Sequence, residues 1–221
     1  MTEKIAIQRG IYQGIYADTC GIIPNYQDNL QKSEEVLRIA QSWSAHRKNL
    51  EKVDGLYVIP EVIAELGEGL SRLEVLLESK WGRLREALNA LRQEEQEMMD
   101  FAYKRRIATS ETRKRFPRLP ENKVRKVREI ILAMGGKLND LETDLEVITA
   151  ALCHAQISPT AVMTQDTVFR LAFAHCAHHI GFQLKSTAIL RSLPGERYHM
   201  TPTREYLRDA HNALQGKAVS I

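Results

Sequence analysis

Arg170, His175, Cys176, His178 and His179 fall within one ten-residue stretch, RLAFAHCAHH. Histidine changes charge near neutral pH and can move a proton, and a guanidinium can hold the charge of a phosphate. His175, His178 and His179 stand at i, i+3 and i+4 of a predicted helix, so they can share a face. Cys176 lies between them, and Cys153 and His154 end the preceding predicted helix. A zinc site would want four convergent ligands. Neither C-x2-C nor H-E-x-x-H spacing occurs. The histidines therefore read as half-buried hydrogen-bonding side chains, and no metal or other cofactor is expected.

The spacing of Arg170 and His175, R-x4-H, resembles the motif of HEPN-type helical ribonucleases. The resemblance covers two residues, and Leu171 stands where that family usually has a polar residue. It implies a dimer in which Arg170 and His175, or His178, work on a scissile phosphate. Five residues turn a helix by 500°, about 140° net, which separates Arg170 from His175. His178, at about 80°, is better placed.

A second group of residues suits binding rather than chemistry. The stretch YKRRIATSETRKRFPRLPENKVRKVR, from Tyr103 to Arg128, holds eleven Lys or Arg and two Glu, a net +9 in a chain of net +3. Everything outside it is acidic, at −6. Scattered cations on helix ends are usually solvated surface, but this density repels itself unless a polyanion or an acidic partner relieves it. The candidate nucleic-acid contacts are Arg105, Arg106, Arg113, Lys114, Arg115, Arg118, Lys123, Arg125, Lys126 and Arg128. Phe116 stands among them and can stack on a base, and Ser110 and Thr112 can bond phosphate. No recognition-helix or RRM pattern accompanies them, so contact with the nucleic-acid backbone is expected, not base reading. A Gly-rich phosphate loop and a G-x-S-x-G elbow are both missing. Gly-Ile-Tyr occurs twice, at Gly10 and Gly14, without the later Tyr-Ile-Gly that a GIY-type nuclease needs. The Glu-rich run RQEEQEMMD, 92–100, reads as a solvated helix face.

The elements that would position these residues read as helices. At 221 residues, 43% hydrophobic and 27% charged, the chain has length for one domain or two small ones with a real core. The segment 1–25 is irregular, and 26–52 has helical periodicity. From Ile63 an apolar residue returns at alternating steps of three and four through Leu66, Leu70, Leu73, Leu77, Leu84, Leu91, Met98 and Phe101, with charged Lys80 and Glu94 in the same register. A second run passes from Val124 through Ile131, Leu138 and Leu145 to Leu152. A 3.5-residue repeat keeps one seam facing a partner helix. Pro117 and Pro120 interrupt the chain between the two runs, so the basic stretch falls at the tip of a hairpin. A further helix is expected from Thr164 or Asp166 to Arg191, then a turn over 192–200 and a last helix after Thr201.

The expected fold is therefore all-α: an elongated antiparallel coiled-coil hairpin, 59–155, with a basic tip at 103–128. An N-terminal segment and first helix, 1–58, and a C-terminal helical pair, 156–221, form its base. Cys20, Cys153 and Cys176 are scattered and odd in number, which suits free thiols in a reducing compartment such as the cytoplasm. No signal-peptide run and no membrane-length apolar run occurs. The functional expectation is a non-catalytic helical adaptor or assembly protein. Its tip would hold nucleic acid, and it would form a homo-oligomer or join a larger assembly. The alternatives are the HEPN-like dimeric ribonuclease and a structural oligomer that docks on an acidic protein surface.

Overall fold

The computed structural model describes residues 12–23, 30–107, 109–138, 141–191 and 198–216. Parts of the irregular N-terminal segment (1–11, 24–29), of the turn (192–197) and of the C-terminal end (217–221) lie outside them, as do the side chains of Ser110 and Arg113.

Five short segments expected as loop or helix are strands. GIYA forms β1 (Gly14–Ala17), LYV forms β2 (Leu56–Val58), TAVM forms β3 (Thr160–Met163), TAILR forms β4 (Thr187–Arg191) and HMTP forms β5 (His199–Pro202). They pair in the order β2-β1-β3-β4-β5, with β5 antiparallel and the rest parallel. Every residue of β1 and β3 is buried. Such strands show no alternation of apolar and polar residues, because a central parallel strand is covered on both faces. The all-α expectation is corrected accordingly: the fold is α/β, with a mixed five-stranded sheet.

The helices are α1 (Thr19–Ile22), α2 (Ser33–Leu50), α3 (Pro60–Glu78), α4 (Gly82–Lys104), α5 (Thr109–Arg115), α6 (Glu121–Ala133), α7 (Leu141–Ala155), α8 (Thr167–His179) and, after a 3-10 turn at Thr203–Tyr206, α9 (Leu207–Leu214). Both heptad runs break within themselves. The first breaks at Lys80, where a turn ends at Gly82 with φ 60°. The second breaks at Gly135, with φ 93°. A positive φ suits glycine and ends a helix. The arms do not form the expected hairpin: α4 packs on α2 and α3, whereas α6 packs on α7 and α8. A 3.5-residue stripe shows that a helix has one apolar face but not what that face meets. Glu95, in the run expected to be solvated, is 1% exposed, and burial pushes its carboxyl up to about 7. The expected helix to Arg191 stops at His179, two residues before Gly181 with φ 84°, and its second half contains β4.

The sheet draws strands from both ends of the sequence, and α7 lies along β1 and β3 while α8 packs on β4. Among the described residues no helix is long and apolar enough to cross a membrane. One contact holds α7 to the sheet where a side chain would not fit. A Cβ on Gly14 would lie 2.3 Å from the His154 ring. That ring cannot swing aside, because its Nδ1 meets the Tyr16 hydroxyl at 3.2 Å and its face stacks on Phe116 at 4.0 Å. Gly14→Ala is therefore expected to destabilise the protein by about 1–3 kcal/mol, read as a lowered denaturant midpoint with an unchanged slope. An unchanged midpoint would show that α7 is free to move off β1.

Candidate functional site at the carboxyl edge of the sheet

Strand order places the site. The chain leaves β1 for β2 on one side, then returns to place β3 on the other. In open parallel sheets the crevice beyond the carboxyl ends at such a reversal is where ligands bind.

Asp18 directly follows β1 at this point and is 4% exposed. Its Oδ1 accepts from the Thr19 N–H at 2.6 Å, and its Oδ2 accepts from the Thr164 hydroxyl, just past β3, at 2.9 Å. Thr164 also accepts from the Asp166 N–H at 3.0 Å. Asp166 in turn caps α8 by accepting from the Phe169 N–H at 2.8 Å. From α3, Glu65 Oε2 accepts the Thr19 hydroxyl at 2.5 Å. The Asp18 and Glu65 carboxylates are thus linked through Thr19, and Thr164 ties Asp18 to the backbone of Asp166. Burial pushes the Asp18 carboxyl up to about 7; the Thr164 and Thr19 bonds oppose this, and the Glu65 and Asp166 charges add to it.

A fourth carboxylate, Asp144, lies on the buried stripe of α7, the helix that packs on β1 and β3. His154 of α7 sits against Gly14, at the start of β1. Asp144 is ten residues earlier in the helix, about 15 Å away along its axis. At about 3.3 Å per strand residue this is the level of Asp18 and Thr19. Asp144 also continues the fully buried stripe of Ile148, Ala151 and Ala155, and is itself half-buried. As the side chains stand, no three His, Cys, Asp or Glu among the described residues close on one point tightly enough to hold a metal ion.

The basic stretch is not a tip. Arg106 forms a bridge with Val58 beside β2, two strand spacings, about 10 Å, from β1. Arg106 is exposed there, at the carboxyl edge. Arg105 donates to the carbonyls of Val53 and Glu51 at 3.4 Å and lies over the Phe101 ring. Arg128 pairs with Glu142 in the first turn of α7 at 2.6 Å, and Arg125 reaches Glu129 at 3.9 Å. Lys123 lies over Phe182. Lys114, Arg115, Arg118 and Lys126 are exposed. Phe116 is packed on His154 rather than presented to solvent, and Thr112 is buried. Of the predicted cations, Arg106 is thus brought to the carboxyl edge of the sheet, beside β2, while Arg128 is held by Glu142.

The histidine stretch divides in the same way. Arg170 is 6% exposed. The His175 and His179 rings lie 4.5 Å apart and tilted by 35°, and His178 Nε2 meets the Thr203 hydroxyl at 2.9 Å. Burial lowers His175 and His178, and the charge of His179 adds to the effect.

Sequence reading missed Asp18, Glu65, Asp144 and Asp166. A signal was present: GIYADT and TAVMTQD each place a four-residue apolar run before a Thr and an Asp. No protein-family model, curated protein or solved structure matches this chain.

Proposed function

We propose that this protein is a divalent-cation-dependent phosphodiester hydrolase acting on nucleic acid, with its site at the carboxyl edge around Asp18. The observation that carries the reading is Asp18 itself: a fully enclosed carboxyl at the strand reversal, with the charges of Glu65 and Asp166 pressing on it. Gathering like charges is unfavourable unless a cation joins them. Mg2+ is commonly held by one or two carboxylates together with substrate phosphate rather than by a complete protein cage. An edge whose acids are near one another but not closed on a point fits that pattern.

A bound Mg2+ supplies charge for the phosphoryl oxygens and a more acidic water. The protein's part is positioning. Thr164 and the Thr19 amide fix both oxygens of Asp18, and Glu65 is tied to the same loop through the Thr19 hydroxyl. Water adds to phosphorus, the ester P–O bond breaks, and the leaving oxygen takes up a proton, giving a phosphate monoester and a hydroxyl. Arg106 adds positive charge at the edge, which favours a polyanionic substrate. The exposed remainder of 103–128 supports nucleic acid as that substrate. The cysteines form no disulfide, and two of them are buried, which fits a reducing compartment such as the cytoplasm.

The test is cleavage of a labelled oligonucleotide. Cleavage is expected with Mg2+ or Mn2+ and is expected to stop when EDTA removes the ion. Binding of the oligonucleotide with no cleavage under any divalent ion would overturn the hydrolase and favour a protein that holds nucleic acid without cutting it.

A further inference from the structure

One charged side chain has no role in the carboxylate site as described. The Arg170 guanidinium is enclosed, and its Nη2 donates to the Thr167 hydroxyl at 2.7 Å. Among the described residues its Nε and Nη1 meet no acceptor. Buried donors left unpaired are costly, and a buried charge more so.

A second arginine stands with it. Arg191 ends β4 at the same carboxyl edge, and its Nε is likewise enclosed without an acceptor among the described residues. Burial, then the charge of Arg191, pushes the Arg170 guanidinium below its ordinary range, opposed by Tyr206 and Asp166. Two guanidinium groups that act on each other with orphaned donors form the reverse of the carboxylate cluster, and what would satisfy them is an anion. A guanidinium fork matches phosphate geometry closely.

The placement relative to the acids is defined by the fold. Arg170 is one helical turn along α8 from Asp166. β4 is next but one to β1 in the sheet, so Arg191 ends a strand about 10 Å from the one that Asp18 ends. We propose that Arg170 and Arg191 form a phosphate subsite, which holds a backbone phosphate neighbouring the one cut at the carboxylates. The acids on β1 and β3 take the cation and the arginines on α8 and β4 take the anion, so the pair sets the direction in which a strand crosses the edge. The substrate named here rests on the hydrolase reading, but the subsite does not depend on cleavage.

The measurement is binding of a short single-stranded oligonucleotide, followed by fluorescence anisotropy over a salt series with EDTA present, so that nothing turns on catalysis. Arg191→Gln is expected to weaken binding about ten-fold. It is also expected to flatten the log–log salt slope by about 0.7, the value for one phosphate on a single strand. Arg170→Gln is expected to act in the same way; where its burial prevents folding, the half-buried Arg191 decides the matter alone. Parental affinity and slope in Arg191→Gln would overturn the subsite. The two proposals fail separately. Weakened binding in Arg191→Gln, with no cleavage by the unmodified protein, would keep the subsite and remove the hydrolase.

Discussion

Asp18→Asn is expected to lower the rate of metal-dependent cleavage by more than about a hundred-fold while leaving the protein at least as stable. Disturbing the outer partners of a metal ligand alone costs 10- to 100-fold, and replacing a ligand carboxylate removes charge from the ion itself. The fold should tolerate the change. Asparagine keeps an oxygen for the Thr19 N–H, and its amide can donate to the Thr164 hydroxyl, which then accepts. Stability should even improve above neutral pH. The folded-state value of about 7 lies above the ordinary 3.8, so the folded protein holds this proton more tightly than the unfolded chain does. The contribution is fully present below 3.8 and is lost as pH rises through about 7. The asparagine variant lacks that loss, so its melting temperature should fall less between pH 4 and 8 than that of the parent. A variant that cleaves at the parental rate would place the chemistry elsewhere. A variant that melts well below the parent at pH 8 would show that the Asp18 charge supports the fold.

The largest structural effect is expected at Phe169. This side chain is fully buried in the first turn of α8, and its N–H is the one that Asp166 accepts. Phe169→Ala should cost about 3–5 kcal/mol, a large share of the roughly 5–15 kcal/mol that holds a domain folded. The denaturant midpoint reads the loss. The same cavity lies beneath the turn that carries Asp166 and Arg170, so binding and cleavage should weaken in whatever fraction still folds. A midpoint within experimental scatter of the parent would mean that α8 is not anchored through this ring.

What was legible in the sequence was the helices one at a time. The apolar stripes of α3, α4, α6 and α7 were visible because each buries one face. Their partners were not, since a stripe that packs on a sheet and a stripe that packs on a second helix look alike. Lys80 and Glu94 were visible as faults in the seam. Lys80 marks a real break between α3 and α4, and Glu94 is half-buried on α4, paired with Arg47 at 3.5 Å. The strands were obscure for a physical reason. GIYA and TAVM are short and buried on both faces, so they carry no two-residue alternation. The acidic site was obscure because its members lie far apart in sequence and meet only at the ends of those strands. The basic stretch was conspicuous as charge, yet its residues divide between ion pairs, ring contacts and open surface once α5 and α6 are packed.

The pairing of β1 with β3 has a bearing on how the protein comes to be made. Asp18 and Thr164 meet across 146 residues of sequence. Closing so long a loop is slow, because its entropy is lost before the contact returns anything. During synthesis β1 emerges well before β3 and can take β2 on one side, while its other edge lacks its strand partner until β3 has been translated. An unpaired edge of a buried apolar strand invites strands from other chains. Folding yield should therefore depend on translation speed and on nascent-chain concentration more steeply than the final stability would suggest. The same delay applies to the carboxylates: Asp18 has neither Thr164 nor Asp166 beside it until β3 and the turn after it have been made.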